Sequence, residues 1–302
     1  MTSQFEWSNI QPPEIIESSR KYILNEDLLP ALVKYMGVKK GDRLVDLGCG
    51  PGTLTRYLAK GLGRECQVTG VDSDKKYIEY ARNKAVEEEL SDCLDFIESD
   101  VYDLPFEDET VDAITDHTLL INLDDPDHFI KEELRVLKKG GTISTSTFLF
   151  SYYPPSRAIP NPKFDQLLLT QQKVYMFFKE HVFPKSFLEG KDINIYLMMK
   201  RYKDFNIQDI QINGYFPLFS PDDYRNKEIR RQWLKEQLAV HSNDIKVILS
   251  NQEYLAKCGI DESELELALK LLEERYYYEL DNTTYIFNNS MEVIISGKKA
   301  ND

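Results

Sequence analysis

The sequence predicts an α/β protein built on a doubly wound parallel sheet. Three observations carry this expectation. From about residue 41 to residue 150, short apolar runs alternate with longer stretches of helical period, the pattern of strands joined by right-handed crossover helices. A glycine-dense turn, "LVDLGCGPGTLT" (Leu44 to Thr55), separates the first such run from the first helix behind it. After Phe150 the regularity loosens into helical blocks, and an alternating run returns at the close, "NNSMEVIISGKK". The late helical blocks therefore read as a cap inserted into the C-terminal half of the sheet.

The elements follow in order. Ile10 to Met36 carries apolar residues at helical spacing, interrupted near Pro30 and closed by Gly37, which predicts one or two helices. "DRLVDLG" is a strand and "TLTRYLAKGLG" a helix ending on glycine; "QVTGVDS" is a second strand and "DKKYIEYARNKAVEEE" a second helix of this half. "LDFIESD" and "VDAITDH" follow as strands, then the helix "DPDHFIKEELRVLKKGG" with a Gly-Gly stop, then the strand "TISTSTFLF". "YYPPSRAIPNPK" is too rich in proline for either element. Helices are expected over about Phe164 to Val182 and Ser186 to Lys203, a strand at "FNIQDIQING", and a helical block from "PDDYRNKEIRRQWLKEQL" to about Leu280.

Charge and cysteine usage narrow the function classes. The 302 residues hold 51 Asp and Glu against 37 Lys and Arg, a net charge of -14, and such a field repels phosphate backbones. A nucleic-acid partner is therefore not expected, and the basic stretches at Met198 to Asp204 and Asn226 to Lys235 read as solvated helix faces. Four cysteines without CxxC spacing suit neither a disulfide framework nor a zinc site. No run approaches the length of a membrane span and the N-terminal segment is polar, so a cytoplasmic protein is expected. His128, His181 and His241 have no metal-ligand spacing, and Asp124, Asp125 and Asp127 sit where helix capping explains them; no metal is expected.

The glycine turn raises the central question, because a bend alone needs fewer than three glycines in five positions. Gly48, Gly50 and Gly52 permit a tight turn and close approach of a ligand to the backbone, with the following helix N-terminus adding N–H donors. In a doubly wound sheet this is where ligands bind. The third glycine falls one position early for the dinucleotide spacing G-x-G-x-x-G, where Thr53 stands instead, which argues against a nucleotide-dependent oxidoreductase.

"VDLGCGPG" resembles the first motif of class I S-adenosylmethionine-dependent methyltransferases of the small-molecule type, and three further stretches keep the order and spacing of that family. The resemblance covers about Gly41 to Thr147 and implies a Rossmann-like methyltransferase sheet, with residues 1–40 as N-terminal helices, 41–150 as the cofactor-binding core, and 151–302 as cap insertions plus the last two strands. It implies that the glycine loop faces the methionine part of the cofactor and that Asp46 orders that loop near the methionine amino group. It also implies that Asp72, with Ser73 beside it, accepts the ribose hydroxyls. Asp100 would take the adenine amino group and Val101 would support the ring, while the chain near Asp116 would meet the cofactor's amino group. Where many quinone-biosynthesis relatives carry a pair of imidazole or aromatic side chains, this chain has Ile121 and Asn122. It has "TDHT" in place of the N-P-P-Y-type motif and no Pro-Cys pair.

The implied reaction is methyl transfer from S-adenosylmethionine, leaving S-adenosylhomocysteine, to a small-molecule acceptor. An in-line displacement of this kind runs mainly by holding the reacting atoms together, and a base is needed only for a protonated acceptor. His117 is the candidate base; shaping the pocket is its other reading. Tyr22, Tyr153 and Tyr175 are the candidate substrate contacts among many aromatics in the variable parts. A protein or RNA methyltransferase, and a module that holds the cofactor without turnover, are the alternatives.

Overall fold

The computed structural model describes residues 6–22, 24, 28–63, 65–149, 162–183, 195–215, 220, 223–282 and 291–301. Seven strands form one sheet in the order β3-β2-β1-β4-β5-β7-β6. Their ranges are β1 Arg43–Leu47, β2 Gln67–Asp72, β3 Leu94–Glu98, β4 Val111–His117, β5 Leu137–Leu149, β6 Gln208–Tyr215 and β7 Met291–Lys298. The first five strands run parallel, and β7 lies antiparallel between β5 and β6. Chain order reverses between β1 and β4, which opens a crevice at the carboxyl ends of the strands.

Alternation along each strand divides the core into two layers. Leu44, Val68, Phe96, Ala113 and Ile294 face helices α2 (Leu29–Met36), α3 (Thr53–Leu62) and α4 (Lys75–Glu87). Val45, Leu47, Val71, Ile114, Ile143 and Val293 face α5 (Pro126–Val136) and α7 (Ile195–Asp204). A third cluster belongs to the cap: α6 (Asp165–His181), α8 (Arg230–Ser250) and α10 (Glu262–Asp281) pack around Leu167, Phe178, Ile245, Ile248, Leu265 and Leu272. In chain order α6 and α7 lie between β5 and β6, and α8 to α10 lie between β6 and β7.

Several element ends differ from the periodic expectation for physical reasons. Pro30 does not interrupt a helix; it starts α2, where its missing N–H costs nothing, while α1 (Pro13–Arg20) stands apart. Gly37 closes α2 in the left-handed conformation, as expected. Helix α5 ends at Val136, ahead of Gly140 and Gly141, because Leu137 already pairs with Val111 on β4. The Gly-Gly pair serves the irregular register between Val111 and Ala113: Gly140 adopts φ +70°, and a Cβ on Gly141 would meet Asp112 O at 2.9 Å. The block expected to run to Leu280 is three helices. Asn251 starts the short α9 (Gln252–Lys257) by accepting from the backbone N–H groups of Glu253 and Tyr254, and Gly259 turns the chain into α10. Of the stretch expected as a helix from Ser186, the described residues begin at Ile195.

Candidate functional site

A cavity of about 370 Å³ opens at the carboxyl ends of β1, β2 and β4. Asp46, Gly48, Gly50, Asp72 and His117 line it together. Asp72 closes β2 and folds back on the glycine loop. Its Oδ2 accepts from Gly50 N (2.8 Å) and its Oδ1 from Asp74 N (2.9 Å). Burial still pushes this carboxyl up to about 6, the backbone donors only partly offsetting the lost hydration. Asp46 is deeper. It accepts from Thr55 Oγ1 at 2.6 Å, and burial with the nearby Asp72 charge raises it to about 7.

The three glycines divide their tasks. All have positive φ, at 63°, 54° and 73° for Gly48, Gly50 and Gly52. A Cβ on Gly52 would strike Phe96 at 2.6 Å, and one on Gly48 would strike Leu119 at 2.7 Å. A Cβ on Gly50 would meet nothing within 4 Å, and Gly50 lines the cavity. Packing of the turn therefore accounts for Gly52, and open space beside the backbone accounts for Gly50.

Six of the candidate residues lie off the cavity's walls. Asp116 is buried beneath it, accepting from Thr145 Oγ1 (3.0 Å) and from the backbone of Leu119 and Leu120; burial raises its carboxyl to about 7. Asp100 is exposed and accepts from Tyr102 N (3.0 Å), while Val101 is buried among the apolar residues of the α5 layer. Ser73 adds a backbone donor to Asp72. Gly52 packs on Phe96, and Tyr22 hydrogen-bonds Glu236 and packs near Trp233 and Leu234 of α8. Tyr175 lines the cavity from α6 and stays 44% exposed, while Tyr153 lies outside the described residues.

Other walls were not legible as site residues. Trp7 and Gln11 from the N-terminal segment, Arg20 from α1, Tyr77 from α4, Phe183, Tyr215 from β6, Asp244 from α8 and Glu292 from β7 all face the cavity. Glu292 reaches His117, with Oε1 to Nε2 at 2.9 Å. Its one sequence signal is a charge interrupting the alternating apolar run of β7. Thr118, next to His117, adopts φ +58°, a left-handed conformation that a β-branched residue resists. Its N–H donates to Ser146 O (2.8 Å) and Arg20 Nη2 stands 3.5 Å from its hydroxyl, so neighbours on β5 and α1 hold that turn.

The model of a family described as "Methyltransferase domain" matches residues 45–145, the span from β1 through most of β5. Over those residues, about a third of the chain, the sequence is similar to that methyltransferase domain. The chain is 32% identical over 160 residues to the 2-phytyl-1,4-beta-naphthoquinone methyltransferase of Arabidopsis thaliana, a match covering 52% of this chain and 61% of that protein. It is 36% identical over 112 residues to the demethylmenaquinone methyltransferase of Staphylococcus aureus strain JH9, covering 37% and 45%. The chain thus spans about half the length of the curated relatives it matches. A structure of Haemonchus contortus phosphoethanolamine N-methyltransferase 2 with S-adenosyl-L-methionine shares the fold at TM-score 0.54 and 17% identity, over 99% of this chain and 60% of that one. The glycine turn at the switch point lies inside the matched span, and β6 and β7 lie beyond it.

The donor set of the cavity suits the family's cofactor. Two carboxylates, each raised above its ordinary value chiefly by burial, meet a backbone position with room beside it. A ligand bearing positive charge satisfies both. Among the described residues no group of three or more His, Cys, Asp or Glu side chains could hold a metal ion, and no helix is long and apolar enough to cross a membrane.

Proposed function

We propose that the protein transfers a methyl group from S-adenosylmethionine to a small-molecule acceptor, with residues 41–150 holding the cofactor and the helices of 151–302 shaping the acceptor side. The observation that carries this reading is the single cavity that joins Asp46, Gly50 and Asp72 to His117. When bound, the cofactor supplies an electrophilic methyl on a positively charged sulfur. Asp72 and Asp46 provide the negative field that favours such a ligand at the tips of β2 and β1, and Gly50 leaves its backbone open to it. His117, at the end of β4, is the group able to take a proton from an acceptor in the same space. Aromatic walls at Trp7, Tyr175, Phe183 and Tyr215 exclude water and favour a flat or cationic acceptor.

The relatives named for quinone methylation support a small acceptor through the shared core. The cap lies largely beyond the matched span, and it decides which acceptor fits. Titration calorimetry with S-adenosylhomocysteine tests the cofactor half: micromolar binding is expected, and none at high micromolar concentration overturns the assignment. Asp72→Ala should weaken that binding by about 1.5–3 kcal/mol, the scale of a lost charged hydrogen-bonding group. Turnover of a panel of amines, phenols and quinols tests the acceptor half, with His117→Gln expected to lower kcat by about 100-fold for acceptors that must lose a proton.

A further inference from the structure

We propose that Glu292 is a positioning residue for His117: it accepts a hydrogen bond from Nε2–H, fixing the neutral ring in one tautomer, and it stabilises the imidazolium that forms when the ring takes a proton. The inference rests on the reading of His117 as the base, and it identifies the acceptor class as one that must lose a proton to react: an ammonium, a phenol or an enol.

The sheet register brings the two side chains together. His117 on β4 pairs with Ser146 on β5, and Ser146 pairs with Ile294 on β7. Glu292, two residues from Ile294, shares its face of the sheet, so the carboxylate reaches diagonally past β5 to the imidazole. Glu292 is 2% exposed, and its own strand neighbours are Phe148 and Tyr215. A carboxylate buried in the middle of a sheet is expensive unless it has partners. Both it and His117 line the same cavity as the carboxylates of the cofactor side.

Charges around the pair come from every packed element. Arg20 of α1 interacts favourably with Glu292, although burial holds its guanidinium below its ordinary value. Tyr215 of β6 pairs with Glu292 across the strands and is pushed up by burial and by the Glu292 charge. Asp46 on β1 and Asp116 on β4 are the buried carboxyls of the neighbouring strand ends. Arg20 disfavours an imidazolium and Glu292 favours it, so the effect of Glu292 is read as a difference between wild type and a variant.

With Glu292 accepting from Nε2–H, the lone pair of the neutral imidazole is on Nδ1. In the reaction the acceptor's proton passes to that nitrogen, its electron pair forms the new bond to the methyl carbon, and the carbon–sulfur bond breaks toward sulfur. For a phenol or enol the charge lost from sulfur would reappear as imidazolium beside the Glu292 carboxylate; for an ammonium the imidazolium would carry the acceptor's own charge and the sulfur's would pass to the methylated nitrogen.

Nitrogen-15 NMR of histidine-labelled protein saturated with S-adenosylhomocysteine tests this without any acceptor. Of the four histidines, the His117 signal is the one lost in His117→Gln. The wild-type spectrum is expected to show His117 protonated on Nε2 in its neutral form, and its midpoint should fall by about one pH unit in Glu292→Gln, which keeps an acceptor oxygen but removes the charge. A neutral ring protonated on Nδ1, or the same midpoint in both proteins, overturns the proposal. Should Glu292→Gln fail to fold, the wild-type tautomer alone decides. Failure of the underlying reading looks different: His117→Gln then methylates an amine or phenol at the wild-type rate while the NMR difference persists.

Discussion

Gly50 and Gly52 stand two positions apart, share the left-handed backbone, and answer to different neighbours. Alanine at Gly52 meets Phe96 and Ala81 as well as the backbone strain, so it should cost about 3 kcal/mol in urea denaturation. Alanine at Gly50 meets only the strain, about 1 kcal/mol, yet places a methyl group in the cavity. Its expected signature is a near-normal unfolding midpoint with at least tenfold weaker binding of S-adenosylhomocysteine. Equal effects of the two variants on binding and stability would mean the turn is only a turn. Asp46 shows the same separation through protonation. Its carboxyl rises from 3.8 to about 7 on folding, so the unliganded native state takes up a proton that the unfolded chain lacks near neutrality. The contribution of Asp46 to stability therefore declines as pH climbs from about 4 through about 7. Asn at this position should stabilise the unliganded protein at pH 8 by about 2 kcal/mol and weaken binding of S-adenosylmethionine, whose positive charge would otherwise pull the carboxylate to its ionised form. Calorimetry in buffers of different ionisation enthalpy near pH 6.5 should show protons released on binding, and that release should shrink in Asp46→Asn.

At the scale of elements, one buried cation on α3 gathers the pieces around the glycine loop. Arg56 is 2% exposed and donates to Pro51 O (2.7 Å), Glu17 Oε1 of α1 (2.6 Å) and Glu88 Oε1 at the end of α4 (3.0 Å). Glu17 also accepts from Thr53 Oγ1 at the start of α3. Without Arg56, Glu17 loses its cation while Glu88 keeps Lys60 Nζ (2.8 Å), so Arg56→Ala should lose about 3 kcal/mol, the low end for breaking a buried pair, and loosen α1. Hydrogen exchange that leaves α1 amides as protected as in wild type would contradict this. The same contrast explains how much was legible beforehand. β1 to β4 and their crossover helices are local in sequence, each closed by glycine or an acid at a predictable place, and period alone locates them. So are Asp72 and the glycine loop, because backbone geometry demands particular residues there. The reversal of β7 could not be read, since alternation is the same in either direction. Glu292, Arg20 and Trp7 were equally hidden: each reaches the cavity only through the pairing of segments far apart in the chain.

Over the whole molecule, the N-terminal residues tie the sheet's first half to the helical cap beside the cavity. Ser8 N donates to Asp74 Oδ2 (2.9 Å), just beyond Asp72, and Tyr77 donates from its hydroxyl to Gln11 O (2.7 Å). On the other side, Asn243 of α8 donates to Ile10 O (2.9 Å), and the ring of Trp7 lies 5.5 Å from that of Phe183. Among the described residues these ties include hydrogen bonds and a ring contact worth about 1 kcal/mol each, with Ile10 buried in the cap cluster, whereas the sheet beneath is secured by two apolar layers. A segment so held opens locally without unfolding the rest. Because Trp7 and Gln11 line the cavity, ligand exchange past this segment is the expected route, and loosening the segment should speed it. Trp7→Ala should therefore raise the dissociation rate of S-adenosylhomocysteine by about tenfold, equivalent to about 1.4 kcal/mol, as read by stopped-flow displacement. The unfolding midpoint should barely move, since Trp7 belongs to none of the buried clusters. An unchanged dissociation rate would place the exit elsewhere, past Tyr175 on the exposed side of α6.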